Sequence, residues 1–273
     1  MTALNRPTQS DLEALGDQFA RDGYVIARRL FGPEDLETIR SEFGKLHQAG
    51  GQPGYFEPVP AEESGGDPLK EFPRIMHPHR FNDVGRRYLL DERVRDCLTA
   101  ILGNPPYAVQ SMFYFKPPGS RGQALHQDNF YLLAEPGTCV AAWTAVDDCD
   151  TGNGALHVVP GSQDAAIICP ETADNKESFT THFVPVPDGL KAIPVEMKAG
   201  DTLFFNGSLI HGSGPNRSKT RFRRSFICHY VTHETEKLHQ GYFPVLRFDG
   251  SQVALTPNES GGPCGEEWKE VKA

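Results

Sequence analysis

The stretch Leu125-His126-Gln127-Asp128-Asn129-Phe130-Tyr131 sets a histidine and a carboxylate two residues apart. Its apolar and aromatic neighbours favour an extended segment. Alternation along a strand then puts His126 and Asp128 on one face and Gln127 on the other. Two ligands from one strand need a third to close a metal site. The best third is His211, in Ser208-Leu209-Ile210-His211-Gly212-Ser213-Gly214-Pro215-Asn216. Two histidines and one carboxylate on one side of a metal leave positions open for co-reactants, as in non-haem Fe(II) oxygenases. The same donors also suit Zn2+ with an open position, which would make the chain a metal-dependent hydrolase or isomerase. An H-x-D pair is common, so its surroundings have to carry the argument.

Helical signals crowd the N-terminal part. Ser10-Asp11-Leu12-Glu13 reads as a capping box ahead of Leu12, Leu15 and Phe19 at helical spacing, with Gly23 as the stop. Tyr24-Val25-Ile26-Ala27 is a short strand. Pro33 opens a second helix with Leu36, Ile39, Phe43 and Leu46 on one face. Asp91 caps a third, which carries Val94, Leu98 and Ile101 and stops at Gly103. Between them, 48–67 is rich in Gly, Pro and Glu and is expected to be a lid or disordered.

From Tyr107 onward the pattern changes to short apolar or alternating runs separated by turn residues. The expected strands are Ala108–Phe115, Ala124–Leu132, Cys139–Val146, Leu156–Val159, Ile193–Met197, Asp201–Phe205 and Arg224–Val231. Such a series predicts a mainly β chain, a sandwich or jelly roll with N-terminal helices. The polar run 167–191 looks like an insertion over one mouth of the barrel, and 261–273 like a loose tail. A single catalytic domain over 1–273 is the simplest organisation: 1–104 as helical decoration, 105–235 as the jelly-roll core and 236–273 as an extension.

The ordered run Lys116-Pro117-Pro118, Leu125-His126-Gln127-Asp128, Ala142-Trp143-Thr144-Ala145, Asn153-Gly154-Ala155-Leu156, Val159-Pro160-Gly161-Ser162, His211-Gly212-Ser213-Gly214-Pro215-Asn216 and Phe222-Arg223-Arg224 resembles the phytanoyl-CoA dioxygenase family. The resemblance implies a double-stranded β-helix of the cupin-like kind. It also implies Fe(II), with 2-oxoglutarate and O2 as cosubstrates, and His126, Asp128 and His211 as iron ligands. Related halogenases carry Ala or Gly where Asp128 stands, so its carboxylate argues for hydroxylation or a related oxidation.

The far carboxylate of 2-oxoglutarate needs a buried cation, and an Arg fork suits it best. Arg217, Arg221, Arg223 and Arg224 compete, and the family pattern selects Arg223. Alternation sends Arg224 outward and sets Arg221 on Arg223's side. Ser213 resembles the family's hydroxyl donor to the same carboxylate. Met112, Trp143 and Arg74 match further cosubstrate contacts, Arg74 standing where the family often has Lys. His77 and His79 read as solvated loop residues, and His229 as a packing or supporting histidine. Asn129, Phe130, Tyr131 and the loops 48–67 and 167–191 are expected to frame the pocket for a small, partly polar substrate.

Composition limits the rest. The 273 residues are 38% hydrophobic and 23% charged, and the formal net charge is −9. A globular chain is implied, and a general nucleic-acid binder, which is usually basic, is disfavoured. The N-terminus lacks a signal-peptide apolar core, and no apolar run approaches a membrane span. The six cysteines form no C-x-x-C pair and read as reduced thiols of a cytoplasmic protein. Monomer and homodimer are equally compatible with the sequence. A sensor that kept the barrel without catalysis is the remaining alternative, and the complete triad argues against it.

Overall fold

The computed structural model describes residues 6–258 and 263–265. Two antiparallel sheets face each other. The larger runs in the order Tyr24–Ala27, Thr202–Asn206, Cys139–Ala145, Ser225–Val231, Tyr107–Tyr114, Val245–Leu246, Gln252–Val253, with Ile75–Met76 also on the Tyr107–Tyr114 strand. The smaller is Gln123–His126, His211–Ser213, Leu156–Val158 and Ile193–Val195.

Period-2 alternation divides the larger sheet between two cores. Phe113, Val140, Ala142, Phe204, Phe226 and Cys228 face outward, where the helices Gln9–Asp22, Pro33–Gln48 and Glu92–Leu102 cover them. Met112, Ala141, Trp143, Leu203, Phe205 and Ile227 face inward and pack with Leu156 and Val158 of the smaller sheet. A sheet buried on both faces reads as near-continuous apolar runs, which is why Cys139–Ala145 and Ser225–Val231 are buried at every position. The helices therefore act as the outer wall of the largest core. Phe43 stacks on Phe113 with ring centroids 4.4 Å apart, and both are fully buried.

Several boundaries differ from expectation, each for a local reason. The first helix is capped by Thr8 rather than Ser10. The Thr8 hydroxyl accepts from the Asp11 N–H, and the Asp11 carboxylate accepts from the Thr8 N–H. Asp83–Leu89 is a further helix, too short and too interrupted by Gly85 to show periodicity. The segment 48–67 is a series of turns, fastened by backbone bonds between Gln52 and Phe56 and between Val59 and Lys70. The 167–191 insertion contains a small hairpin, Glu171–Thr172 with His182–Phe183.

The expected strand Ala124–Leu132 stops at His126, and Asn129–Leu132 is a single helical turn. Asn129 explains the break. Its amide oxygen accepts from the Cys139 N–H, and its amide nitrogen donates to Thr138 Oγ1 and Ser208 Oγ. These bonds turn the chain out of the sheet directly after Asp128.

The cysteines are not all reduced. Cys169 and Cys264 form a disulfide, and Cys97, Cys139, Cys149 and Cys228 are free and buried. The expectation of reduced thiols came from the missing C-x-x-C motif, which says nothing about partners 95 residues apart. Of the expected loose tail 261–273, only Pro263–Gly265 falls within the described residues. Among the described residues no helix is long and apolar enough to cross a membrane.

Replacing Phe43 by Ala should cost about 3–5 kcal/mol of stability, the usual range for a large buried aromatic. Urea unfolding followed by circular dichroism measures it. A loss below about 1 kcal/mol would mean that the helices do not wall the core.

Candidate active site

The smaller sheet brings the two predicted histidines together. His126 is the direct cross-strand partner of His211, and their ring centroids are 4.2 Å apart. Gly212 lets the strands close. A Cβ there would stand 2.7 Å from the Gln123 carbonyl oxygen. Asp128 arrives from the turn after His126. Its carboxylate oxygens lie 3.5 Å from His126 Nε2 and 3.6 Å from His211 Nε2. One donor atom from each residue lies within 4.8 Å of the other two, and all three side chains are buried.

The hydrogen bonds fix which nitrogen is available. His126 Nδ1 is 2.9 Å from the Ala124 carbonyl and His211 Nδ1 is 3.0 Å from the Leu209 carbonyl. A carbonyl can only accept, so each Nδ1 carries a proton and each Nε2 faces the cluster, where that of His126 also lies 3.0 Å from the Gln123 side-chain nitrogen. Burial lowers the pKa of His211 to about 4, although Asp128 opposes the shift. His211 is therefore neutral at pH 7, as a metal ligand must be. Burial raises the pKa of Asp128, but the surrounding histidines, His211 and His229 foremost, outweigh that and hold the carboxyl well below its ordinary value. Two imidazole nitrogens and one anionic oxygen are a donor set that fits ferrous iron.

His229, from the larger sheet, donates from Nε2 to Asp128 Oδ2 at 3.0 Å. It thereby orients the carboxylate from the opposite sheet. The sequence reads it as a packing or supporting histidine, and alternation along the strand sets it on the face of Ser225 and Ile227.

The cluster opens on a cavity of about 430 Å3 between the sheets. Met112, Trp143, Ser213, Arg223 and Arg74, the five predicted cosubstrate residues, all line it. The four competing arginines separate cleanly. Arg217 pairs with Glu177, Arg221 with Asp150 and Arg224 with Asp147. Arg223 is 3% exposed and pairs with no carboxylate among the described residues. Its guanidinium lies over Trp143 at 5.0 Å, Nη1 donates to Ser225 Oγ, and Nε has no partner. A buried cation so placed calls for an anion. Arg221 does not share its side as alternation implied, because the strand begins only at Ser225.

The rim differs in part from expectation. Tyr131, Phe179, Thr180, Thr181, His182 and Tyr242 supply much of it. Tyr131 Oη and His182 Nδ1 are 3.1 Å apart, which ties the 167–191 insertion to the turn after Asp128. Asn129 and Phe130 do not line the cavity, nor does any residue of 48–67. Gln127 is fully buried and ties the insertion down, donating to the Ser208 carbonyl and accepting from the Ile168 N–H. Arg74 sits at the mouth, donating to Tyr114 Oη and lying 5.7 Å from the Phe179 ring centroid. His77 and His79 are not solvated. His79 is buried against Ser111, and burial lowers the pKa of both to about 3.

Compared with known proteins, residues 19–225 match a family model described as phytanoyl-CoA dioxygenase (PhyH). The chain is 28% identical to "Phytanoyl-CoA dioxygenase 1" of Oryza sativa subsp. japonica, over 82% of each chain. It is 26% identical to the peroxisomal phytanoyl-CoA dioxygenase of Rattus norvegicus over 78% of its own length and 66% of that protein. It is also 26% identical to the ectoine dioxygenase of Stutzerimonas stutzeri (strain A1501), over 76% of this chain and 75% of the other. Among solved structures it is similar to the epimerase SnoN in complex with Fe3+, alpha ketoglutarate and nogalamycin RO. That match has a TM-score of 0.66 and 22% identity, covering 84% of this chain and 86% of the other. EvdO2 from Micromonospora carbonacea var. aurantiaca, complexed with 2-oxoglutarate, matches with a TM-score of 0.63 and 18% identity, over 85% and 94% of the two chains. At these identities the likeness is one of fold.

His229→Phe should lower the affinity for Co(II) by about 10- to 100-fold, the usual effect of losing a hydrogen bond to a ligand, with the three ligands intact. Equilibrium dialysis measures it. An unchanged affinity would mean that the His229–Asp128 bond does not orient the carboxylate for a metal.

Proposed function

This chain belongs to the phytanoyl-CoA dioxygenase family, and from that premise we propose that it hydroxylates, or otherwise oxidises, an unactivated C–H bond of a small molecule. Fe(II), 2-oxoglutarate and O2 are the family's cofactor and cosubstrates. The observation that carries the reading is the pairing of two features in one cavity: the buried His126–Asp128–His211 cluster and the carboxylate-free Arg223. A metal-dependent hydrolase would use the first and have no need of the second. The two facing antiparallel sheets support a double-stranded β-helix, and the shared core of sheet and helices supports a single catalytic domain.

In this reading His126, Asp128 and His211 hold the iron. Bound there, a ferrous ion supplies the activation of O2, with the keto acid as co-reductant leaving as succinate and CO2. The protein's residues do the rest. Arg223 receives the far carboxylate of 2-oxoglutarate through its planar fork, helped by the Ser213 hydroxyl. Trp143 and Met112 wall that end and exclude water, which strengthens the ion pair. His229 holds the carboxylate ligand in place. Arg74, Tyr131, Phe179, Thr180, Thr181, His182 and Tyr242 border the remaining space, where the substrate's C–H bond is positioned. An aromatic rim with a few hydroxyls and one guanidinium suits a small, partly polar molecule.

Succinate release from 2-oxoglutarate under air, measured with the iron-loaded protein, tests the reading. Asp128→Ala should reduce it by at least about 100-fold through loss of the metal's anionic ligand. Arg223→Met should raise KM for 2-oxoglutarate by about 10- to 100-fold, in line with about 1.5–3 kcal/mol for a charged hydrogen-bonded contact. Full turnover by Asp128→Ala would refute the assignment.

A further inference from the structure

Lys116 is a buried lysine that the reading above leaves without a task. It is 4% exposed, and it forms no ion pair with any described carboxylate. Its Nζ donates to the Ser213 hydroxyl oxygen and to the Arg121 carbonyl, each at 3.2 Å. Its backbone is in the left-handed region, with φ 41°, ahead of two prolines. Such a conformation costs energy in a non-glycine residue and persists only where the surroundings impose it. Here the Lys116 carbonyl accepts from both the Arg223 N–H and Asn216 Nδ2. Gly154 makes room for the side chain, since a Cβ there would stand 2.5 Å from Lys116 Cε. A methionine would fill this space without taking an amine out of water, so packing alone does not account for the lysine.

The charged groups around Lys116 are few. The Arg223 guanidinium acts on it as a like charge. The Arg121 guanidinium is turned away to Asp67. The Cys149 thiol is uncharged, its pKa pushed up to about 12 by burial. Asp147 and Asp150 are engaged by Arg224 and Arg221. Two buried cations side by side without a counter-ion are unfavourable, and only the lysine can lose its proton. Burial, and then Arg223, lower the pKa of Lys116 well below its ordinary value. The hydrogen bonds agree. A neutral amine has two N–H groups, and two acceptors are present.

We propose that Lys116 is a positioning residue of the cosubstrate site that takes up one proton as the far carboxylate of 2-oxoglutarate settles beside Ser213 and Arg223. This rests on the reading that those two residues hold 2-oxoglutarate. The arriving anion supplies the missing counter-ion, so the ammonium form becomes favourable. The charge gained with the proton strengthens the existing hydrogen bond from Lys116 to Ser213, and with it the hold of the Ser213 hydroxyl on the carboxylate. The sign of the linkage follows. The lysine's pKa is low in the free protein and higher in the complex. Affinity for 2-oxoglutarate is therefore greatest below the lower value and falls as pH rises between the two, by up to about tenfold per pH unit.

Calorimetry of 2-oxoglutarate binding to the Co(II)-loaded protein, without O2, tests this. The observed heat is compared in two buffers of different ionisation enthalpy at several pH values between about 6 and 10. Wild type should take up protons with 2-oxoglutarate, approaching one per chain between the lysine's pKa in the free protein and that in the complex, and its affinity should fall with rising pH across that window. Lys116→Met should bind without that uptake, about tenfold more weakly at the lower pH, with a flattened pH profile. Lys116→Arg keeps a permanent charge and should also bind without uptake, so either variant suffices if the other fails to fold. Wild-type binding without proton uptake, or equal uptake by Lys116→Met, overturns the proposal while leaving the cosubstrate assignment intact. Absence of any 2-oxoglutarate binding by wild type overturns the assignment itself, and this proposal with it.

Discussion

A carboxylate removed from water must be compensated, and the centre of this structure is the way Asp128 is compensated. His229 of the larger sheet donates to it on one side, and the two imidazoles of the smaller sheet turn their Nε2 atoms toward it on the other, so the rest of the compensation falls to a cation held between them. The compensation therefore requires both sheets at a fixed separation. It also requires the cross-strand pairing of His126 with His211, and the turn at Asn129 that swings Asp128 back toward them. The outer helices matter to the chemistry for the same reason. They cover the other face of the larger sheet, and so hold in register the strand that carries His229.

The opposite end of the cavity poses the complementary problem. Arg223 is a cation left without an acid, in a chain whose overall charge is negative and whose neighbouring arginines are all paired. The metal cluster presents open donors and Arg223 an open cation, and a short keto dicarboxylate answers both needs. Lys116 extends the same logic one layer back. Its charge state is coupled to whether the anion is present, which makes the cosubstrate end of the pocket responsive rather than permanently charged.

Much of this was legible in the sequence, because side-chain alternation and family resemblance are both local patterns. Tyr24–Ala27, Tyr107–Tyr114, Cys139–Ala145, Thr202–Asn206 and Ser225–Val231 lie within a residue of expectation because their apolar runs are local, whereas the two-residue strands Ile75–Met76, Val245–Leu246 and Gln252–Val253 were not expected. Motif order and spacing single out His126, Asp128, His211 and Arg223, and the structure sets all four on one cavity. What was not legible depends on contacts distant in the chain. The break after His126 comes from Asn129 bonding to Thr138, Cys139 and Ser208, whereas the local residues read as strand. The burial of His77 and His79 depends on Ser111 and the surrounding packing, while their own segment, with its proline, reads as a loop. The Cys169–Cys264 disulfide joins segments 95 residues apart. The paired states of Arg217, Arg221 and Arg224 are likewise invisible until their acids are placed.

The most direct test of the central claim is visible absorption of the protein, anaerobic and loaded with Fe(II), as 2-oxoglutarate is added. Chelation of ferrous iron by the keto acid gives a weak charge-transfer band that neither component shows alone. The band should appear and saturate at one equivalent of 2-oxoglutarate per chain. His126→Ala should lose it, and Arg223→Met should need far more 2-oxoglutarate to produce it. A folded, iron-loaded protein that gives no band would contradict the claim that the triad and Arg223 form one site for iron and 2-oxoglutarate.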